Sequence, residues 1–158
     1  MKRIDTIAQK IIAPDQLEGW LARARLLDRK IVFTNGCFDL LHRGHLHYLA
    51  EARDLGDLLL IGLNSDASVR QLKGPTRPLN AAEDRAFALA SLSVVDGVMI
   101  FDEQTPASLI EQVKPDVLVK GGDYKPEEVV GREFAKELVL IPFVQGFSTT
   151  GIIDKMQS

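Results

Sequence analysis

Five short apolar runs, separated by longer segments whose apolar residues recur at helical spacing, constrain this chain more than anything else in it. The runs are Ile31 to Thr34, Leu58 to Leu63, Gly97 to Phe101, Val117 to Lys120 and Leu138 to Pro142. Most are apolar at consecutive positions, so neither face is suited to water. That is the pattern of strands in a parallel sheet covered on both sides. Between them, Leu46, Leu49, Ala50 and Ala52 mark one helix, Ala86, Leu89, Ala90 and Leu92 another, and Leu109, Ile110 and Val113 a third. Strands alternating with helices predict an α/β fold with a doubly wound parallel sheet.

The helix starts carry their own signals. Asn80 with Glu83 three residues on reads as a capping box. Thr105 before Pro106 reads as an N-cap followed by a first-turn proline. Ser148-Thr149-Thr150 precedes a terminal helical segment, Ile152 to Met156. Upstream of the first strand, Pro14 to Leu27 predicts a helix with Leu17, Trp20, Leu21 and Ala24 on one face. Residues 1–29 are therefore expected to form an N-terminal helical extension of a single domain spanning 1–158. The least regular stretch is Gln71 to Leu79, with Lys73, Gly74, Pro75, Arg77 and Pro78. Loops of this kind often carry function.

The net charge of -3 gives no general attraction to nucleic acid, so an anionic ligand needs a local cluster of donors. Cys37 is the only cysteine, which rules out an internal disulfide and fits a reducing compartment. Asp5, Gln9 and Lys10 interrupt the N-terminal segment, so it does not read as a secretory signal. No run approaches the roughly 20 apolar residues that span a bilayer. A cytoplasmic protein without membrane partners is expected.

All three histidines fall within His42-Arg43-Gly44-His45-Leu46-His47, just past the first strand. Imidazoles donate hydrogen bonds to anions near neutral pH. Open α/β sheets bind ligands at the carboxyl ends of their strands. Gly36 is expected to let the backbone turn tightly. Gly44 removes a side chain between two histidines at a helix start, where free backbone N–H groups also face an anion. The arrangement reads as a phosphate cradle built from side-chain donors. His47 points to another part of the helix surface and is not expected to be catalytic. Cys37 is read as a small packing residue, not a thiol nucleophile. A metal site on the three histidines is the competing reading. There is no G-x-G-x-x-G, no G-x-x-x-x-G-K-[ST] and no G-x-S-x-G, which argues against a dinucleotide site, a P-loop and a hydrolase elbow.

The stretch Gly36-Cys37-Phe38-Asp39-Leu40-Leu41-His42-Arg43-Gly44-His45 resembles the G-x-F-D-x-x-H-x-G-H signature of the cytidylyltransferase-like nucleotidyltransferases. Glu83-Asp84-Arg85, Gly121-Gly122-Asp123-Tyr124 and Gly146-Phe147-Ser148-Thr149-Thr150 resemble further elements of that superfamily, in the same order. Within it, the chain is most similar to the D-glycero-β-D-manno-heptose 1-phosphate adenylyltransferases. Thr34 to His45, Asn64 to Arg70, Leu72-Lys73-Gly74 with Arg77-Pro78, and Asp116 to Glu128 carry that likeness. The cytidylyltransferase branch has an arginine shortly before its S-T-T element, where this chain has Phe143-Val144-Gln145. That difference points away from CTP.

The resemblance implies a Rossmann-like doubly wound sheet of about five parallel strands with helices on both faces. It implies transfer of AMP from ATP, with Mg²⁺, to a sugar 1-phosphate. His42, His45, Lys73 and Arg85 are then expected to be catalytic. Thr34, Asn35, Gly36, Cys37, Phe38, Gly44, Lys120, Gly121, Asp123, Ser148, Thr149 and Thr150 would bind nucleotide alongside the histidines. Asp39, Asn64, Lys73 and Arg77 would bind the acceptor, and no side chains are expected to form a metal cage. The resemblance also implies a homo-oligomer, and a separate heptose kinase upstream to supply the substrate. The alternatives are transfer to another phosphorylated acceptor, such as glycerol 3-phosphate or a flavin phosphate, with ATP or CTP, and a non-catalytic nucleotide-binding module on the same fold.

Overall fold

A computed structural model describes residues 1–158. Five strands form one parallel sheet: β1 (Ile31–Gly36), β2 (Leu58–Asn64), β3 (Gly97–Phe101), β4 (Val117–Gly121) and β5 (Glu137–Ile141). Their spatial order is β3-β2-β1-β4-β5. The chain builds outward from β1 through β2 to β3, then returns to place β4 on the other side of β1. The β1–β4 junction is thus the point where the winding reverses, and a ligand crevice opens there at the carboxyl ends.

Each central strand divides its apolar side chains between two cores. Val32 of β1 packs with Leu59, Ile61, Leu63, Val117 and Val119 on one face. Ile31 and Phe33 pack with Leu60 and Leu118 on the other. Helices α3 (Arg43–Arg53) and α5 (Ala82–Ala90) close the first face with Leu49, Ala52, Ala86 and Leu89. Helices α2 (Leu17–Leu26) and α6 (Ala107–Val113) close the second with Leu17, Leu21, Leu109 and Ile110. The doubly covered sheet is the one the apolar runs predict. Two further helices, α4 (Asp66–Lys73) and α7 (Thr149–Gln157), start at the carboxyl edge.

Several local expectations need correcting. A helix α1 (Arg3–Ala8), which the sequence did not announce, precedes the predicted N-terminal helix, and Pro14–Gln16 form a 3₁₀ turn before α2. Ile11 pairs with Val98 at the edge of β3, and Ile12 is buried in the core. Helix α5 starts one residue after an Ala81 N-cap, not at Asn80. Asn80 is drawn away because its N–H and its side-chain amide bond Asp39 instead. Pro106 itself holds the N-cap position of α6, one residue past the expected Thr105. Strand β5 begins at Glu137 and ends at Ile141, one residue earlier than predicted.

Candidate active site

Strand β1 ends at Gly36, and the chain then crosses to α3. The left-handed turn falls on Phe38 (φ 46°), not on Gly36. Gly36 serves clearance instead: a Cβ there would lie 2.9 Å from the Phe38 ring. His42 is the N-cap of α3 in extended backbone, and its Nδ1 accepts the Gly44 N–H at 3.1 Å. A nitrogen that accepts cannot hold the proton, so the neutral ring carries it on Nε2, free to donate. His45 follows one turn later with its Nδ1 3.4 Å from the His42 backbone nitrogen. The two rings stack with centroids 3.8 Å apart. A Cβ at Gly44 would come within 2.9 Å of the His42 ring and 3.1 Å of Phe147, so the glycine is needed for this close approach.

Burial lowers the pKa of His42. His45 is pushed down to about 4, first by burial and then by the neighbouring His42 and Lys73, while a hydrogen bond to the Leu40 backbone pulls the other way. Both imidazoles are therefore neutral donors at neutral pH. Ser148 caps α7 by accepting the Gly151 N–H at 2.9 Å, and Thr149 Oγ1 donates to the Leu40 carbonyl at 3.3 Å. Residues from the N-terminal turns of α3 and α7 therefore line the same cavity, and the positive ends of two helix dipoles favour an anion there.

That cavity measures about 630 Å³, within the range of small-molecule sites. Asn35, Gly36, Cys37, Phe38, Asp39, His42, Gly44, His45, Lys73, Lys120, Gly121, Ser148, Thr149 and Thr150 all line it. Lys120 Nζ is steadied by Asn35 Oδ1 at 3.2 Å and lies 5.5 Å from the centre of the Tyr124 ring. Burial lowers the Lys120 pKa. Burial also raises the Cys37 thiol against the pull of Lys73, Arg85 and Arg77, which keeps it protonated and a poor nucleophile.

Other expected site residues are placed differently. Arg85 is 2% exposed, and four of its N–H donors are spent on the carbonyls of Asn80, Cys37 and Asn64 and on Asp66. It braces the loops behind the cavity and does not line it. Thr34 is fully buried, its hydroxyl 2.6 Å from Tyr48 Oη, and it does not line the cavity. Burial raises Tyr48 to about 12, against the Thr34 hydrogen bond, so it stays a neutral phenol that donates to the Val119 carbonyl. Asp39 touches the cavity wall, but its carboxylate accepts from Arg77 Nε at 2.7 Å and from the Leu79 and Asn80 N–H groups. Burial alone would raise this carboxyl; those three partners hold it below the usual range. Arg77 is consumed by the same clamp, although its Nη2 is enclosed without a partner. Asn64 lies in an adjoining cavity, its side-chain amide donating to Ser68 Oγ. Asp123 is exposed and outside both cavities.

Sequence reasoning missed most of the aromatic wall. Tyr48, Phe143 and Phe147 line the main cavity together with Tyr124, which the resemblance had already placed at the nucleotide. Gly122 has φ 88°, and the Phe143 ring lies where its Cβ would be, so only glycine fits beneath that ring. Phe143 is nevertheless 71% exposed. Its one sequence signal was an aromatic standing where the cytidylyltransferase branch carries arginine. The three histidines do not converge on a metal: no group of three or more metal-ligating side chains comes together. His47 instead pairs with Glu51 on the α3 surface.

Residues 33–155 match the family described as cytidylyltransferase-like. The chain belongs to that family. It is accordingly a nucleotidyltransferase. It is 63% identical over 129 residues to the bifunctional protein HldE of Campylobacter concisus, covering 82% of this chain and 27% of that protein. It is 53% identical over 149 residues to the bifunctional protein HldE of Wolinella succinogenes, covering 94% of this chain and 31% of that one. The chain thus spans about a third of the length of these relatives. A crystal structure of a lipopolysaccharide core biosynthesis protein from Thermoplasma volcanium superposes with a TM-score of 0.61 at 26% identity, covering 73% of this chain and 97% of the other. No helix of this nucleotidyltransferase is long and apolar enough to cross a membrane.

Proposed function

We propose that this nucleotidyltransferase moves AMP from ATP to D-glycero-β-D-manno-heptose 1-phosphate, giving ADP-heptose and pyrophosphate for lipopolysaccharide core synthesis. The observation that carries the reading is the pair of stacked, neutral histidines beside two helix N-termini in one cavity. The likeness of the Thr34–His45 and Val119–Tyr124 stretches to heptose adenylyltransferases supports the acceptor. The structural likeness to a lipopolysaccharide core biosynthesis protein of Thermoplasma volcanium agrees with it.

An oxygen of the sugar phosphate attacks the α-phosphorus in line. The new P–O bond forms as the bond to the bridging oxygen of the β-phosphate breaks, and the electron pair leaves with pyrophosphate. A phosphate monoester dianion needs no general base, so catalysis consists of positioning and charge stabilisation. His42, from Nε2, and His45 donate to phosphate oxygens as charge moves toward the leaving group. Lys73, at the end of α4, and the start of α7 at Thr149 and Thr150 offset charge on the triphosphate. Magnesium enters as part of the MgATP substrate, where it neutralises phosphate oxygens.

The test is pyrophosphate release, pairing ATP or CTP with the heptose 1-phosphate or with glycerol 3-phosphate. Turnover confined to ATP with the heptose phosphate is the expected result. Turnover with CTP or with glycerol 3-phosphate would overturn the substrate assignment and leave the histidine chemistry in place.

A further inference from the structure

The two histidines of the cradle belong to a linked series of four rings. Phe38 lies at one end, buried, its centroid 5.3 Å from that of His45 and its plane tilted by 56°. His45 stacks on His42. At the other end the Phe147 ring lies 6.4 Å from His42 and within 19° of its plane. Both outer separations fall where aromatic rings attract one another, about 4.5–7 Å between centroids. Phe38, His42 and His45 come from one stretch of chain between β1 and the first turn of α3. Phe147 comes from the far end of the chain, just before α7.

Three local features bring it there. Gly146 takes φ 85° in open space, a turn that suits only a residue without a side chain. Thr149 Oγ1 donates to the Leu40 carbonyl, so the start of α7 is tied to the loop that leads into His42. A Cβ at Gly44 would meet His42 Cε1 at 2.9 Å and Phe147 Cβ at 3.1 Å, so imidazole and phenylalanine crowd over the same bare backbone. Core packing does not account for the contact, because Phe147 is 41% exposed and belongs to neither apolar core. The other titratable side chains of the cavity are Cys37, Asp39, Tyr48, Lys73, Lys120 and Tyr124. None lies on the segment from Pro142 to Ile153, which carries no charge, so a change at Phe147 alters burial and not the local field.

We propose that Phe147 is a positioning residue for the transfer step, walling in the His42 imidazole so that its Nε2 stays aimed at the phosphate. The proposal rests on the histidine chemistry given above. The Gly44 N–H fixes the ring at one point only, Nδ1. A ring held by one hydrogen bond still rocks about it, and water beside it competes for Nε2. A phenyl group packed alongside restricts the rocking and displaces that water. Burial is also what lowers the His42 pKa, as an apolar neighbour requires. Phe147 acts through His42 and not on the substrate.

The test is Phe147→Ala, with Phe147→Leu as the conservative variant. The first readout is a ¹⁵N titration of the histidine rings without nucleotide. In Phe147→Ala the His42 midpoint should rise toward the ordinary 6.5, and the Nε2–H tautomer should lose population. The second readout is steady-state kinetics. In Phe147→Ala kcat should fall about 10–10²-fold, as for a slightly misplaced group, with the KM for ATP within about twofold. Phe147→Leu keeps an apolar wall and should recover most of both. A His42 midpoint and tautomer unmoved in Phe147→Ala would overturn the proposal, whatever the change in Tm. A raised KM for ATP with kcat intact would overturn it as well, because Phe147 would then touch the nucleotide. Absence of turnover with the heptose phosphate in the unaltered protein, with the midpoint shift present, would overturn the acceptor and leave Phe147 at His42.

Discussion

Two groups of polar side chains meet at the carboxyl edge of the sheet, and they are built in opposite ways. In the histidine cradle His42 accepts a backbone N–H on Nδ1 and keeps Nε2 free to donate, and His45 stacks on it with its Nδ1 toward the His42 backbone N–H. In the brace beside it, Arg85, Asp39 and Asn64 bond inside the protein, and Arg77 gives its Nε to Asp39. Arg85 joins three loop carbonyls from β1, β2 and the start of α5. Asp39 ties the loop after β1 to residues some 40 positions later. The comparison separates polar side chains that keep a donor for the cavity from those that hold the first group in place. Residue type alone does not distinguish them, since arginine and aspartate near a phosphate site suit either role.

The sharpest way to break this division is Arg85→Ala. If Arg85 is a brace, its loss strands three carbonyls and the Asp66 carboxylate, and unfolding should become easier by about 3–5 kcal/mol, read from denaturant midpoints. A variant of unaltered stability with a slow chemical step would move Arg85 into the catalytic group. Asp39→Asn comes next. It keeps the shape but turns an acceptor into a partial donor facing Arg77 and two N–H groups, and should cost about 2 kcal/mol of stability. Thr34→Val removes only the hydroxyl held by Tyr48, and Tyr48 keeps its bond to Val119. A loss of about 1 kcal/mol is expected, with the KM for ATP unmoved; a raised KM would show Thr34 reaching the nucleotide.

The smallest effect is the pH response. The folded pKa of His45, about 4, lies below the ordinary histidine value of 6.5, so the unfolded chain binds the extra proton first. The His45 contribution to stability is therefore complete above pH 6.5 and is lost as pH falls toward 4. A ¹⁵N titration of the ring should show it neutral at about pH 6 in the absence of nucleotide. A midpoint near 6.5 would remove the basis for treating it as a neutral donor.

The sheet was legible in the sequence because a parallel strand covered on both faces must be apolar at consecutive positions, and Val32-Phe33 and Leu59-Leu60-Ile61 are. The cradle was legible because three histidines crowd into six residues with Gly44 between two of them. The brace was not, and the reason is physical. The partners of Arg85 are backbone carbonyls, which every residue has, and the Asp39 clamp closes across a long loop. Neither leaves a mark in local spacing. The same holds for Asn80, whose capping pattern looked sound until Asp39 took its hydrogen bonds. Phe143 was hidden because its partner is the bare backbone of Gly122.

The most direct test of the central claim is His42→Asn, assayed for turnover and for thermal unfolding in one preparation. Asparagine is a good N-cap and can still accept from the Gly44 N–H, so the start of α3 should hold. It has no Nε2 to reach the phosphate. We predict that kcat falls about 10²–10³-fold, as when one oxyanion donor is removed, while Tm changes little and ATP still binds. Turnover close to that of the unaltered protein would contradict the account, because the free imidazole donor would then have no part in moving the phosphate.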